Sequence, residues 1–358
     1  MNTSISHQRL HSLDAFRGFT MAAMVIVNNP GSWSAIYGPL RHAEWIGCTP
    51  TDLIFPFFLF IVGCSLELTR TRSSGVVEWH KTLRRTATLF TLGLLLAAFP
   101  WPGFDHIRIP GVLQRIAFCS IAALCIVSQV SLRTQIGIAL FMLFGYGWIL
   151  LTPPAGALPF DPENNWVRTI DLALLGEGHV YSNSPTDPEG VLSTLPAIVT
   201  VLSGVWAMRA LNHGVSPSKL AGFGVAAIVV SIAMGFAMPI SKPLWTPTYV
   251  VYTAGLAMIV LAAWIWIADR RDIAVLWKPF AMLGRNAIFL FVGSGLLGRA
   301  LVTLKLDDGS SLKEHAYAYI SATGLNPEAA SLLYACAMLA LWSLILWMMH
   351  RKRMYFAL

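Results

Sequence analysis

Long apolar runs alternate with shorter polar ones along the chain, and ten of the runs approach the roughly 20 residues that a helix needs to cross a hydrocarbon layer about 30 Å thick. Their approximate ranges are 14–30, 52–69, 84–100, 111–130, 134–152, 191–210, 219–239, 247–268, 280–304 and 329–350. The pattern predicts an all-α polytopic membrane protein of about ten transmembrane helices, organised as one domain over residues 1–358. The first run is short, Gly18 to Val27, unless Arg17 and Asn28 are counted at its ends, which points to a helix facing protein rather than lipid. Between the runs, segments 30–51, 153–190 and 305–328 are long or polar. The second is rich in Pro, Asn, Asp and Gly and too long for a simple connection, so a structured mouth is expected there.

Composition narrows the choice further. Hydrophobic residues make up 56% of the chain, charged residues 12%, and mean hydropathy is +0.62. A soluble domain carries about 25% charged residues, so a soluble enzyme, a disordered chain and a disulfide scaffold are all disfavoured. Lys and Arg outnumber Asp and Glu by 25 to 18. In this chain that excess orients the protein rather than binding nucleic acid: sixteen of the 25 fall on the side of the termini, six on the opposite side and three inside spans. The positive-inside rule then places both termini, and Arg9 with them, in the cytoplasm. Arg9, Asp14 and Arg17 precede the first run with no small-residue cleavage site, which reads as a retained first helix. Of five cysteines, Cys64, Cys119, Cys125 and Cys336 lie in apolar runs and behave as small hydrophobes. No zinc-type spacing, Walker loop, HExxH or GxSxG is present in a credible context, and no metal is expected.

Ionisable groups inside hydrocarbon are costly and therefore mark candidate sites. Arg115, beside Gln114 one turn into the fourth run, fits either a tie between helices or a ligand-facing cation. Arg285 and Asn286 open the ninth run after Lys278, where helix-terminal amides favour an anion, although Arg285 alone also fits an interfacial side chain. Asp14 and Arg17 are three apart and can pair on one helix face. Asn28 leaves the first run at the opposite side.

His42 lies in the segment that follows, and Asp52 opens the second run. An imidazole titrates near pH 6.5 and can take up and return a proton at neutral pH. Glu44 and Asp52 could orient the ring, Trp45 could form a sugar-stacking wall and Asn28 could donate to a developing oxyanion. Asp187 and Glu189, just before the sixth run, complement a helix dipole and would also suit a cationic amine.

RLHSLDAFRG, VIVNN, RHAEWIGCTPTDLIFPFFLFIVG, RIPGVLQRIA, DPEGVLSTLPAIVTVLSG and GRNAIFLF occur in this order over essentially the whole chain. Together they resemble the membrane domain of the heparan-α-glucosaminide N-acetyltransferase family and its bacterial relatives in N-acetylglucosamine utilisation. The chain lacks the large extracytoplasmic region and leading span of the lysosomal enzyme, which implies the bacterial form, in the inner membrane. The resemblance implies a homodimer embedded in lipid that draws acetyl-CoA from the cytoplasm and delivers its acetyl group to the amine of a glucosamine unit on the periplasmic side. It places the active-site histidine at His42 and its partner asparagine at Asn28. Candidate donor contacts are Arg17, Arg115, Arg285 and Asn286, and candidate sugar contacts are Asp52, Trp45 and Glu189. His42 would act either as a base in direct transfer or as a transient acetyl carrier. A sugar transporter, or an O-acyltransferase for a surface polysaccharide, fits the same spans and polar residues.

Overall fold

A computed structural model of the chain describes residues 10–356; Arg9 lies outside them. Thirteen α-helices run in order along the described residues: α1 His11–Asn28, α2 Ile54–Arg72, α3 Trp79–Ala97, α4 Val112–Gln129, α5 Leu132–Leu151, α6 Trp166–Leu175, α7 Thr194–Asn212, α8 Pro217–Met234, α9 Pro247–Trp264, α10 Ala274–Arg285, α11 Ala287–Thr303, α12 Leu312–Ser321 and α13 Pro327–Arg351. The class is all-α, as the periodicity predicts, with no strand among the described residues.

Each of the ten apolar runs corresponds to helix, but the helices differ in kind. Seven are long and apolar enough to cross a membrane, or eight if the bent pair α10 and α11 is one span. That pair bends by 73°, so the run over 280–304 is interrupted at Asn286 rather than continuous. Neither α1, with Asp14 and Arg17, nor α3, with Lys81, Arg84 and Arg85, is among the seven. In α1 the charged first half faces protein: Ser12, Leu13, Asp14, Ala15 and Phe16 are all buried.

The most hydrophobic helices are not all central. In α2 and α7, 72% of the apolar window is buried by other helices, against 28% in α5 and 22% in α8, which leaves the last two at the periphery of the bundle. Small residues bring the inner helices together. A Cβ on Gly63 of α2 would sit 1.9 Å from the Val201 carbonyl oxygen, and one on Gly204 of α7 would sit 2.0 Å from that of Phe60, so this crossing is backbone against backbone. One turn beyond, the Glu67 carboxylate is buried between Arg70 at 2.8 Å and Arg209 at 3.0 Å, pinning α2 to α7 at the end that bears the termini. The cationic partners satisfy a carboxylate that burial alone would not tolerate.

Candidate active site

At the end of the bundle remote from the termini, α1 stops at Asn28 and the chain crosses an irregular segment before re-entering as α2. The last turn of that segment, Pro50–Leu53, is closed by a capping box in which Thr49 N and Oγ1 both donate to Asp52 Oδ2 at 3.0 Å. Ala43 N donates to the same oxygen at 3.0 Å. The other carboxylate oxygen, Oδ1, lies 2.6 Å from His42 Nδ1. Asp52 is fully buried, while the His42 side chain is 52% exposed. The carboxylate contact assigns the proton to Nδ1 and makes Nε2 the basic nitrogen of the ring.

His42, Asp52 and Asn28 line one chamber of about 450 Å³ together with Glu44, Arg108, Tyr181, Glu189 and Lys242. Arg108 donates to both oxygens of Asp187, at 2.9 and 2.6 Å, and also to Glu189. Burial opposes its charge, but the two carboxylates more than offset that and hold the guanidinium well above its usual pKa. Lys242 Nζ pairs with Asp52 Oδ1 at 3.5 Å and lies 3.0 Å from His42 Nδ1, which already donates to Asp52 and does not accept from the ammonium. Burial pulls its ammonium below the usual lysine range, partly countered by Asp52 and Glu189. Cys48 follows the same hairpin, but burial first and Asp52 second push its thiol up to about 12, so it is not a thiolate nucleophile at neutral pH.

A second chamber of about 460 Å³ opens towards the termini. Arg17, Arg70, Lys81, Arg85 and Arg285 line it against a single carboxylate, Glu78, among its lining residues. Arg17 donates to Ser65 Oγ at 2.7 Å and pairs with Asp14 at 3.4 Å, and Arg285 reaches the other oxygen of Asp14 at 3.9 Å. The Nε atoms of Arg85 and Arg285 are buried without a hydrogen-bond acceptor, which suits an anionic ligand. Five apolar residues, Phe58, Leu113, Ile116, Ala287 and Ile288, line both chambers and form the waist between them. The bend at Asn286 supplies two of these and sets Arg285 at the mouth on one side of the same corner.

The structure thus gathers His42, Asn28, Asp52 and Glu189 in one chamber and Arg17 and Arg285 in the other. It places the remaining three expected residues elsewhere. Arg115 lines neither chamber; it is buried, donates to the Gly190 carbonyl at 2.8 Å and to Ser193, and lies over the Trp245 ring, so its hydrogen bonds organise the start of α7. Asn286 uses both ends of its amide on the C-terminal segment, accepting from Phe356 N at 2.8 Å and donating to the Met354 carbonyl at 3.2 Å. It acts on the chamber through Phe356, which is part of the lining. Trp45 turns away from the chamber, its indole donating to the Phe160 carbonyl at 2.8 Å. Among the described residues no three His, Cys, Asp or Glu gather as a metal-ligand cluster.

Residues 9–232 match the model of the family described as heparan-alpha-glucosaminide N-acetyltransferase, catalytic. The chain is 29% identical to heparan-alpha-glucosaminide N-acetyltransferase of Homo sapiens, over 97% of this chain and 59% of that protein. It is 28% identical to the Mus musculus protein of the same name, over 98% of this chain and 60% of that protein. The chain therefore spans about three-fifths of the length of these relatives.

Proposed function

The chain belongs to the heparan-alpha-glucosaminide N-acetyltransferase catalytic family, and from that premise we propose that it transfers an acetyl group from acetyl-CoA, held in the termini-side chamber, to the amine of a glucosamine unit in the far chamber. The observation that carries this is the pair of chambers with one shared waist: a cationic one in which Arg85 Nε and Arg285 Nε lack a hydrogen-bond acceptor, and a polar one built round a carboxylate-held imidazole. A nucleotide bearing several phosphates suits the first, and a narrow pantetheine arm suits the apolar waist. The cation excess on the side of the termini supports a cytoplasmic donor, and hence a periplasmic acceptor.

The donor supplies an acetyl group activated as a thioester. In the proposed step, His42 Nε2 accepts a proton from the amine nitrogen as that nitrogen bonds to the thioester carbonyl carbon, while Asp52 stabilises the resulting imidazolium. The Asn28 amide donates to the carbonyl oxygen as it gains charge. His42 then returns the proton to the departing sulfur as the carbon–sulfur bond breaks, so the base is regenerated without an external acid. The Asp52 contact favours this direct route, because it fits His42 for proton transfer.

The purified protein, incubated in detergent with acetyl-CoA and glucosamine, is expected to yield the N-acetylated sugar and free CoA thiol in equal amounts by mass spectrometry. Detergent abolishes vectorial transport, so a transporter would give no product. Acetylation of neutral sugars in preference to glucosamine would replace the amine acceptor by a hydroxyl. Acetyl-His42 accumulating in the absence of acceptor would replace the direct route by the covalent one.

A further inference from the structure

Among the described residues, Lys242 is the one cation that contacts both members of the His42–Asp52 pair. It is carried there by an unusual local pairing. Gly47 N donates to the Ile240 carbonyl at 2.7 Å, and Ser241 Oγ donates to the Trp45 carbonyl at 2.7 Å, so the connection between α8 and α9 is clamped against the hairpin that bears His42. The next residue along is Lys242, whose side chain is 13% exposed.

Charge decides what this lysine does. Asp52 is fully buried and accepts from Ala43, Thr49 and His42. A buried carboxylate is stable as an anion only beside a matching cation. With Lys242 present, the ammonium supplies that charge and the imidazole only has to donate Nδ1–H. Without it, the group best placed to become the cation is the imidazole itself, which would put a proton on Nε2 and remove the base.

We propose that Lys242 is a positioning residue that serves as the countercharge of Asp52, so that His42 can face the acceptor as a neutral base. This rests on the acetyl-transfer reading above and adds to it the group that sets the protonation state of the base. The other charges facing the ring do not do this work. From the hairpin, Arg41 donates to the Ile36 carbonyl at 2.7 Å and Glu44 lines the chamber as a further anion. From the segment before α7, Asp187 and Glu189 share the single guanidinium of Arg108, which comes from the connection before α4, and leave a net anion there rather than a cation for Asp52. On the hairpin itself, Cys48 stays a thiol. Tyr249 of α9 donates to the Asp52 main-chain carbonyl at 2.5 Å and carries no charge.

The test uses the full chain as wild type, Lys242→Met, Lys242→Arg and the double variant Asp52→Asn/Lys242→Met. Carbethoxylation of His42, followed by peptide mass spectrometry over a pH series, reports the neutral imidazole without reference to activity. For Lys242→Met the midpoint is expected to move up by about one pH unit or more, since one opposing charge at contact distance has gone. Lys242→Arg should stay near wild type, and the double variant should return towards it because anion and cation leave together. The acidic limb of kcat/KM for glucosamine acetylation should move by the same interval, with the rate recovering at high pH.

A folded Lys242→Met protein whose His42 midpoint is unmoved, or whose rate falls equally at every pH, overturns the proposal. Should wild type acetylate no amino sugar while the His42 midpoint still moves as expected, the functional reading fails and the countercharge stands.

Discussion

Asp52 grips His42 with one carboxylate oxygen, 2.6 Å from Nδ1, and with the other grips the backbone of Ala43, next to His42, and of Thr49, across the hairpin. Ring orientation and hairpin conformation therefore depend on one buried side chain. Asp52→Asn keeps the size but offers an amide in place of a carboxylate and inverts the preferred tautomer. Acetyl transfer should fall by about 10²–10⁴-fold, as when the orienting carboxylate of a histidine base is neutralised elsewhere. Single-turnover measurement of acetyl transfer checks this, and a rate within a few-fold of wild type would remove Asp52 from the mechanism.

Removal of the imidazole itself makes a sharper separation. His42→Ala should abolish acetyl transfer while leaving acetyl-CoA affinity unchanged, because His42 and the guanidinium groups line different chambers. Calorimetric titration of the variant with acetyl-CoA, alongside the transfer assay, reads both quantities. Parallel loss of binding and transfer would place His42 in the donor site instead.

The cationic chamber makes a different forecast. Arg85→Ala and Arg285→Ala each remove a guanidinium whose Nε lacks an acceptor within the protein. One charge-assisted hydrogen bond is worth about 1.5–3 kcal/mol, so each variant should bind CoA roughly 10–100-fold more weakly. Raising the salt concentration should narrow the gap between wild type and variant. Glucosamine KM should hold steady, and unchanged CoA affinity would exclude the residue from the donor site.

The waist can be closed without touching a charge. Ile288 lines both chambers at the start of α11, and a tryptophan there would fill the passage. Ile288→Trp should cut acetyl transfer by about 100-fold or more while CoA itself still binds, since the nucleotide end is held by the guanidinium groups. Transfer at the wild-type rate would mean that the acetyl group travels by another path.

Much of this arrangement is legible in the chain because hydrocarbon leaves few options for backbone or charge. The apolar runs predict helices over all ten segments, and the Asp14–Arg17 spacing predicts the pair observed at 3.4 Å. His42, Asn28 and Asp52 converge because Asn28 ends α1, Asp52 lies in the last turn before α2, and the one excursion between them carries His42. Contacts made across long sequence distances leave no local trace. Lys242 lies 200 positions from His42 and reads in the sequence as an ordinary loop lysine. Arg115 illustrates the opposite difficulty: a buried arginine looks the same in sequence whether or not it meets a ligand, and here Nη2 is held by the Gly190 carbonyl while Nε and Nη1 have no acceptor. The bend at Asn286 is hidden because the apolar run continues through it, and the amide that marks it is engaged by a segment about 70 residues later.

Asp171, on α6 outside the membrane, ties that helix to the start of α7 and gives stability a pH dependence. Its Oδ1 accepts from Val191 N at 2.8 Å and Leu192 N at 3.4 Å, while Oδ2 is buried without a partner. Burial raises this carboxyl to about 6, against the two backbone donors, with Asp187 adding a smaller push in the same direction. The fold therefore holds the proton more tightly than the unfolded chain, whose carboxyl titrates near 3.8. The stabilisation from that proton is complete below about pH 3.8 and is lost as pH rises through about 6. At neutral pH wild type carries a buried anion with one oxygen unmatched. Asp171→Asn retains the acceptor for Val191 and Leu192 but removes the charge, so it should raise thermal stability at pH 7.5, by up to about 3 kcal/mol. The advantage should shrink towards pH 5, where the native carboxyl is already protonated. Thermal unfolding of both proteins at the two pH values measures the difference, and an equal gap at both would show that Asp171 does not titrate in this range.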